Sequence, residues 1–165
     1  MKKVKLSLIL PCYNEAEHFT NSIDNIVSEL KKSKLSYEVI FVDDKSTDNT
    51  KQLIKKFITK KNSVRFKAIY HQINQGRGKS VMDGVEIAQG QYSGFMDIDC
   101  EISPKYILQF ITKLNSRFDI VCADRKYQVN LSNFIRALSS KIYSKLVRFM
   151  LLTKLSDTEA GYKFF

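Results

Sequence analysis

Two carboxylates stand one residue apart in GFMDIDCE (94–101): Asp97 and Asp99 flank Ile98, and Glu101 follows two positions later. An apolar run leads straight into them. In a strand, side chains at i and i+2 point to the same side. The spacing therefore lets Asp97 and Asp99 present their oxygens to one point while Ile98 turns into the core. Unpaired buried charges are costly, so something positive is expected between them. Hard oxygen ligands in a half-open pair suit Mg2+ or Mn2+, ions that keep waters and also take substrate phosphates as ligands. A bare D-x-D is more commonly a pair of turn residues, here capping a helix that begins near Pro104. Asp43 and Asp44, ending one apolar strand, and Glu15, following another, tip the reading towards a site.

These side chains need a frame, and hydrophobic periodicity supplies one. LSLILP (6–11) is a short apolar run closed by proline and reads as a buried strand. Over 15–32, Phe19, Ile23, Ile26, Val27 and Leu30 recur at three and four, which predicts an amphipathic helix. YEVIFVDD (37–44) is a second strand. STDNT (46–50) offers an N-cap cluster for a helix carrying Leu53, Ile54, Phe57 and Ile58. VRFKAIYH (64–71) alternates as a third strand. Gly76 and Gly78 mark a loop, and 80–88 a helix ended by Gly90. Strand 92–98, a helix over 104–115 with proline in its first turn, strand 119–125 and a long helical stretch over 133–152 complete the chain.

Regular alternation of strand and helix predicts an α/β fold with a mostly parallel sheet and helices on both faces. Ligands of such sheets bind beyond the carboxyl ends of the strands. Those ends carry Tyr13, Asn14 and Glu15, Asp43 and Asp44, His71, Asp97 and Asp99, and Asp124 and Arg125. Two phosphate-binding motifs fail on their glycines. RGKS (77–80) resembles the end of a Walker loop, but the earlier glycine falls at Ile73. Gly76-x-Gly78 would need its third glycine at Val81. The two glycines still allow a tight turn before a helix N-terminus, a place that favours an anion.

The 165 residues suffice for one compact domain with a real core. No stretch approaches the roughly 18 apolar residues of a membrane span. The start, MKKVKLSLILPCYNE, has a basic end and an apolar run, but stops at Pro11 without a small-residue cleavage site, and so reads as a strand. Cys12, Cys100 and Cys122 are odd in number and lack C-x-x-C spacing, which fits a reducing cytosol. With 27 basic and 17 acidic side chains the formal charge is +10. That is compatible with solubility, nucleic acid, or an anionic surface or ligand.

Six segments together resemble a known family. PCYNE (11–15), FVDDKSTDNT (41–50), NQGRGKSVMDGVEIAQGQY (74–92), FMDIDCE (95–101), CADR (122–125) and DTEAGYKFF (157–165) resemble, in order, the motifs of family 2 glycosyltransferases of the GT-A fold. Within it they look most like the dolichyl- and polyprenyl-phosphate mannose and glucose synthases. The resemblance implies a GT-A nucleotide-sugar-binding domain over 1–165, cut short at its C-terminus or naturally short. It implies inverting transfer of a hexose from a UDP- or GDP-sugar to a polyprenyl phosphate. On that pattern Pro11, Tyr13, Glu15, Asp43 and Asp44 belong to the nucleotide pocket, with Gly78 and Lys79 beside the donor. Asp97 and Asp99 hold Mg2+ or Mn2+ on the donor diphosphate. Glu101 stands where the mannose synthases have a glutamine ligand, and Lys45 where the family usually has glycine. Arg125, Arg136, Ser140 and Lys163 look like the acceptor-phosphate residues, with Arg125 also catalytic.

The implied chemistry is consistent with those residue types. Displacement at an anomeric carbon needs its leaving diphosphate stabilised, by a metal and by cationic side chains. A phosphate acceptor is already an anion and needs positive groups, which Arg125 and Arg136 provide. A saccharide hydroxyl acceptor, as in polysaccharide or cell-wall synthesis, would instead need a base, and Asp157 is the candidate. NFIRALSSKIYSKLVRFMLL (133–152) is basic and amphipathic. It fits either core packing or an anionic membrane surface, which would place the protein on the cytoplasmic face. Convergent carboxylates would repel nucleic acid and argue against that partner.

Overall fold

The computed structural model describes residues 3–116, 118–124 and 160–165. The chain divides into two compact units, residues 1–121 with 161–165, and residues 122–160. Of the second unit only 122–124 and Ala160 are described.

The first unit carries the α/β frame that the periodicity predicts. Strands β1 (Leu6–Cys12), β2 (Tyr37–Asp43), β3 (Phe66–Tyr70) and β4 (Tyr92–Met96) pair in parallel, with β2 and β4 flanking β1 and β3 beside β2. With β5 (Val121–Cys122) and β6 (Tyr162–Phe164), the six-stranded sheet runs β3-β2-β1-β4-β6-β5. The last residues supply the one feature that the alternation does not anticipate: β6 lies antiparallel to β4, with Lys163 opposite Phe95. β1 and β2 are buried almost throughout, as expected of strands covered on both faces.

Alternate residues of these strands build two cores. Ile9, Ile40 and Val42 point to one face and pack with Ile69, Val85, Ala88 and Phe95 under α3 (Arg77–Glu86). Phe41 points the other way. It meets Phe19 of α1 (Phe19–Lys32) at 5.8 Å and Phe57 of α2 (Thr50–Lys61) at 5.8 Å between ring centroids. Each such buried aromatic side chain contributes about 1.5–3 kcal/mol. Phe110 of α4 (Ile107–Ser116) stacks on Tyr162 and Phe164 at 4.9 and 5.5 Å and so holds β6 to the sheet.

Several boundaries move for local reasons. α1 begins at Phe19 and not at residue 15, because Glu15 N–H donates to Thr50 Oγ1 and Ala16 N–H to Asp48 Oδ2, while 16–18 form a turn. α2 is capped at Asn49 without a side-chain bond; Asp48 Oδ1 takes the Thr50 N–H instead. α3 starts at Arg77, so Gly78 lies in its first turn, and only Gly76 (φ 86°) adopts the left-handed region. The same helix ends at Glu86, before Gly90. Pro104–Tyr106 forms a 3-10 turn ahead of α4.

At the amino edge of the sheet a buried polar knot fixes the α3–β4 connection. Ser7 Oγ donates to Glu38 Oε1 at 2.6 Å, Gln89 N–H donates to the same oxygen at 2.7 Å, and Lys67 Nζ lies 2.7 Å from Glu38 Oε2. Burial pushes the Glu38 carboxyl up, but the bonds from Lys67, Ser7 and Gln89 outweigh it and hold the group below its ordinary range. Gly90 N–H donates to Ser7 Oγ at 2.8 Å. A Cβ on Gly90 would meet the backbone, 2.5 Å from Ser7 N and 2.7 Å from Tyr92 O. Gly90→Ala is therefore expected to cost about 1–3 kcal/mol in urea unfolding. A lowered folded value means that Glu38 contributes its full stability above its ordinary 4.5 and loses it as pH falls through the folded value. Glu38→Gln should thus lower stability at neutral pH and flatten the acid limb of the stability–pH curve; an unchanged limb would show that the knot carries no charge.

Candidate active site

The site is built where the parallel strands end. β1 delivers Pro11, Cys12 and Tyr13, and the chain then turns through Asn14 at φ 57°. Asn14 Oδ1 accepts from Thr47 N–H at 2.8 Å, and Asn14 N–H donates to Ser46 Oγ at 3.0 Å. Together with the bonds to Thr50 and Asp48, these tie the loop after β1 to the loop after β2. STDNT thus works mainly as a clasp between two strand ends.

The second fixture is Asp44. Its backbone N–H donates to Cys12 O at 2.9 Å. Its carboxylate accepts from Gln75 N–H at 2.8 Å and Gly76 N–H at 2.7 Å, and lies 2.7 Å from His71 Nδ1. Burial raises the carboxyl, but His71 and the two backbone donors more than reverse this and keep it below its ordinary range. His71 Nε2 faces Asp83 Oδ2 at 3.0 Å, and Lys79 pairs with the other oxygen of Asp83. Asp44 therefore fixes Gly76, the N-cap of α3, and with it the root of Arg77.

β4 stops at Met96, so Asp97 and Asp99 do not sit on the strand as the i, i+2 reading expects. Asp97 N–H still reaches across to Gly161 O at 2.9 Å. Ile98 and Asp99 form a turn closed by Cys100 N–H on Asp97 O at 3.3 Å, with Cys100 at φ 56°. Ile98 is fully buried, as the spacing predicts. Asp99 Oδ1 accepts from Glu101 N–H at 3.0 Å. A Cβ on Gly161 would fall 1.7 Å from Asp97 Oδ2, so only glycine leaves room for this carboxylate.

Pro11, Cys12, Tyr13, Glu15, Asp44, Arg77, Ser80, Asp97 and Asp99 line one cleft of about 240 Å³. Six of the expected site residues meet there. Arg77 was not anticipated. Its Nη1 donates to Asp97 Oδ2 at 3.1 Å; the sequence signal was the NQGRGKS segment, whose failed glycine motifs drew attention from its arginine. Glu15 carries the electrostatic mark of the cleft: burial, then the charges of Asp99, Asp97 and Asp48, raise its carboxyl against the lowering effect of His18.

The other expected residues stand apart from that lining. Asp43 is buried, and neither of its carboxylate oxygens has a hydrogen-bond partner among the described residues. Glu101 lines a small niche beside Asp97, Asp99 and Tyr162. Gly78 and Lys79 lie in the first turn of α3. Lys163 rests with Nζ 5.7 Å from the Phe95 ring centroid. Arg125, Arg136, Ser140, Asp157 and the stretch 133–152 lie outside the described residues.

Among the described residues no three His, Cys, Asp or Glu side chains form a complete metal-binding group. Mg2+ and Mn2+ do not require one, since they are held by one or two carboxylates plus waters and substrate phosphates. Two carboxylates on one cleft, one of them cradled by Gly161, fit an ion that arrives with a diphosphate. No described helix is long and apolar enough to cross a membrane.

The chain is similar in sequence and in fold to known proteins. The dolichyl-phosphate beta-glucosyltransferase of Dictyostelium discoideum is 27% identical over 98% of the chain and 54% of its own length. Its human counterpart is also 27% identical with the same coverage. The chain spans about half the length of these curated relatives. Among solved structures, mannosyltransferase PcManGT from Pyrobaculum calidifontis, in complex with GDP-Man and Mn2+, superposes with a TM-score of 0.64 at 20% identity, over 73% of this chain and 36% of that one. S. aureus TarS 1–349 in complex with UDP-GlcNAc does so at 0.56 and 29%, over 79% and 38%. The fold is thus the GT-A type that the resemblance implies. The glycosyl transferase family 2 model matches residues 7–165, nearly the whole chain, and the protein belongs to that family.

Proposed function

We propose that residues 1–165 form a catalytic domain that transfers a hexose from a nucleoside-diphosphate sugar to a polyprenyl phosphate, with inversion, at the cytoplasmic face of a membrane. The observation that carries this is the cleft itself: Asp97 and Asp99 converge with Glu15 and Arg77 beyond the carboxyl ends of the parallel strands, where α/β sheets bind nucleotides. Relatives named for dolichyl phosphate support the lipid-phosphate acceptor.

Each residue has a task in this reading. Pro11, Tyr13 and Asp44 form the wall for the nucleoside. The Asp43 carboxylate, without a hydrogen-bond partner among the described residues, accepts an N–H of the base. Asp97 and Asp99 hold Mg2+ or Mn2+ on the diphosphate, with Glu101 alongside. A bound divalent ion supplies Lewis-acid stabilisation of the leaving diphosphate. Arg125, Arg136, Ser140 and Lys163 gather the acceptor phosphate, whose oxygen is already charged and needs no base.

Calorimetry with UDP and GDP, each with Mn2+, Mg2+ or chelator, tests the donor site. One nucleotide is expected to bind in a metal-dependent way, and Asp97→Asn with Asp99→Asn should abolish that binding. Transfer should fall about 100-fold or more in the double variant. Gly161→Ala, which displaces Asp97, should lower transfer by about the same order while the sheet stays folded. Metal-independent binding that survives both changes would sink the reading. Asp157→Asn separates the acceptors: little loss supports a phosphate, a large loss a saccharide hydroxyl. At low ionic strength the protein should sediment with anionic vesicles and be released by salt; failure to sediment would remove the membrane from the proposal.

A further inference from the structure

We infer that Arg77 is a built-in counter-ion for the carboxylate pair, holding Asp97 in the free protein and yielding it to a divalent cation only when a nucleoside diphosphate takes the guanidinium. This rests on the donor-site reading above and adds an order of events to it.

The geometry has three parts. The root of Arg77 is fixed: it is the first residue of α3, behind Gly76, whose N–H is held by Asp44 at 2.7 Å. The tip is not buried: the Arg77 side chain is 50% exposed and that of Asp97 31%, and ion pairs so open to water contribute little and exchange readily. The contact falls on Asp97 Oδ2 at 3.1 Å, the oxygen that Gly161 leaves room for. A guanidinium and a divalent cation repel each other, so they compete for that oxygen.

A diphosphate changes the balance. It offers paired oxygens that match the guanidinium fork, a better partner than one carboxylate oxygen. It also brings ligands that a Mg2+ or Mn2+ ion held by only two carboxylates still needs. Arg77 moving to the diphosphate frees Asp97, so each ligand strengthens the binding of the other, as linkage requires. In the free protein Arg77 offsets the charge of Asp97 and so makes the cleft less receptive to a bare metal ion.

The test is Mn2+ binding followed by electron paramagnetic resonance, with and without UDP or GDP, on wild type, Arg77→Gln, Arg77→Lys and Asp97→Asn. The wild type should bind Mn2+ alone weakly and about 5-fold or more tightly with the matching nucleotide. Arg77→Gln should bind Mn2+ alone more tightly than wild type, with the nucleotide's enhancement reduced towards unity. Arg77→Lys, which keeps a charge without the fork, should bind Mn2+ alone as weakly as wild type and show a reduced enhancement. Mn2+ affinity and enhancement in Arg77→Gln equal to those of folded wild type would overturn the inference. In that outcome, loss of Mn2+ in Asp97→Asn would leave the donor-site reading standing. Mn2+ and nucleotide binding indifferent to Asp97→Asn would overturn both.

Discussion

The hydrogen bonds of one carboxylate hold the carboxyl edge of the sheet together. Asp44 follows β2, is tied to β1 through its own N–H on Cys12 O, and engages both side-chain oxygens with Gln75, Gly76 and His71. Three segments distant in sequence thereby share one anchor. Charge-assisted bonds to backbone N–H groups are among the stronger ones available, and leaving those donors unsatisfied would be costly. The start of α3 cannot move without breaking them, and Arg77, Ser80 and the floor of the cleft follow from it. The two adjacent aspartates at this strand end thus do unlike jobs: Asp44 builds the frame, while the Asp43 oxygens have no hydrogen-bond partner among the described residues.

Much of this frame was legible in the sequence because burial imposes periodicity. The strands and α1 to α4 fall where apolar spacing puts them, and Ile98 is buried because its neighbours are not. What the periodicity missed is set by contacts between distant residues. The start of α1 is delayed by Thr50 and Asp48, more than 30 positions away. β6 forms because Tyr162 and Phe164 find Phe110 and the edge of β4, and three residues carry too little pattern to announce a strand. Gly78 reads as a loop glycine, yet the turn is made by Gly76 alone, and helix propensity cannot decide between two glycines one residue apart.

The D-x-D pair is the instructive case. Asp97 and Asp99 line one cleft, but for a reason that their spacing does not give. The carboxylates converge through a turn after the strand, not through strand alternation. The turn is closed by Cys100 in the left-handed region and backed by Gly161, whose missing Cβ leaves the space that Asp97 fills. Spacing alone cannot reveal a cradle contributed from 64 positions downstream. Residue types suggest a chemistry; the geometry depends on Gly161, just ahead of the antiparallel strand β6.

The acidic groups of this edge fall into a graded series that separates frame from function. Asp44 and Asp48 are lowered against the effect of burial, by side-chain bonds from His71 and Thr50 and by backbone donors. Asp97 is matched by the half-exposed guanidinium of Arg77. Glu15 is raised by burial and by the charges around it, and Asp43 is buried with neither oxygen matched among the described residues. A fold that only needed stability would have no use for the second half of that series, because buried carboxylates without partners cost more than the apolar residues that could replace them. Their retention is explained if the missing donors and cations arrive with a ligand. A nucleotide base offers N–H groups and a diphosphate brings its metal, so the unsatisfied end of the series has the polarity of the donor that this family's fold accommodates.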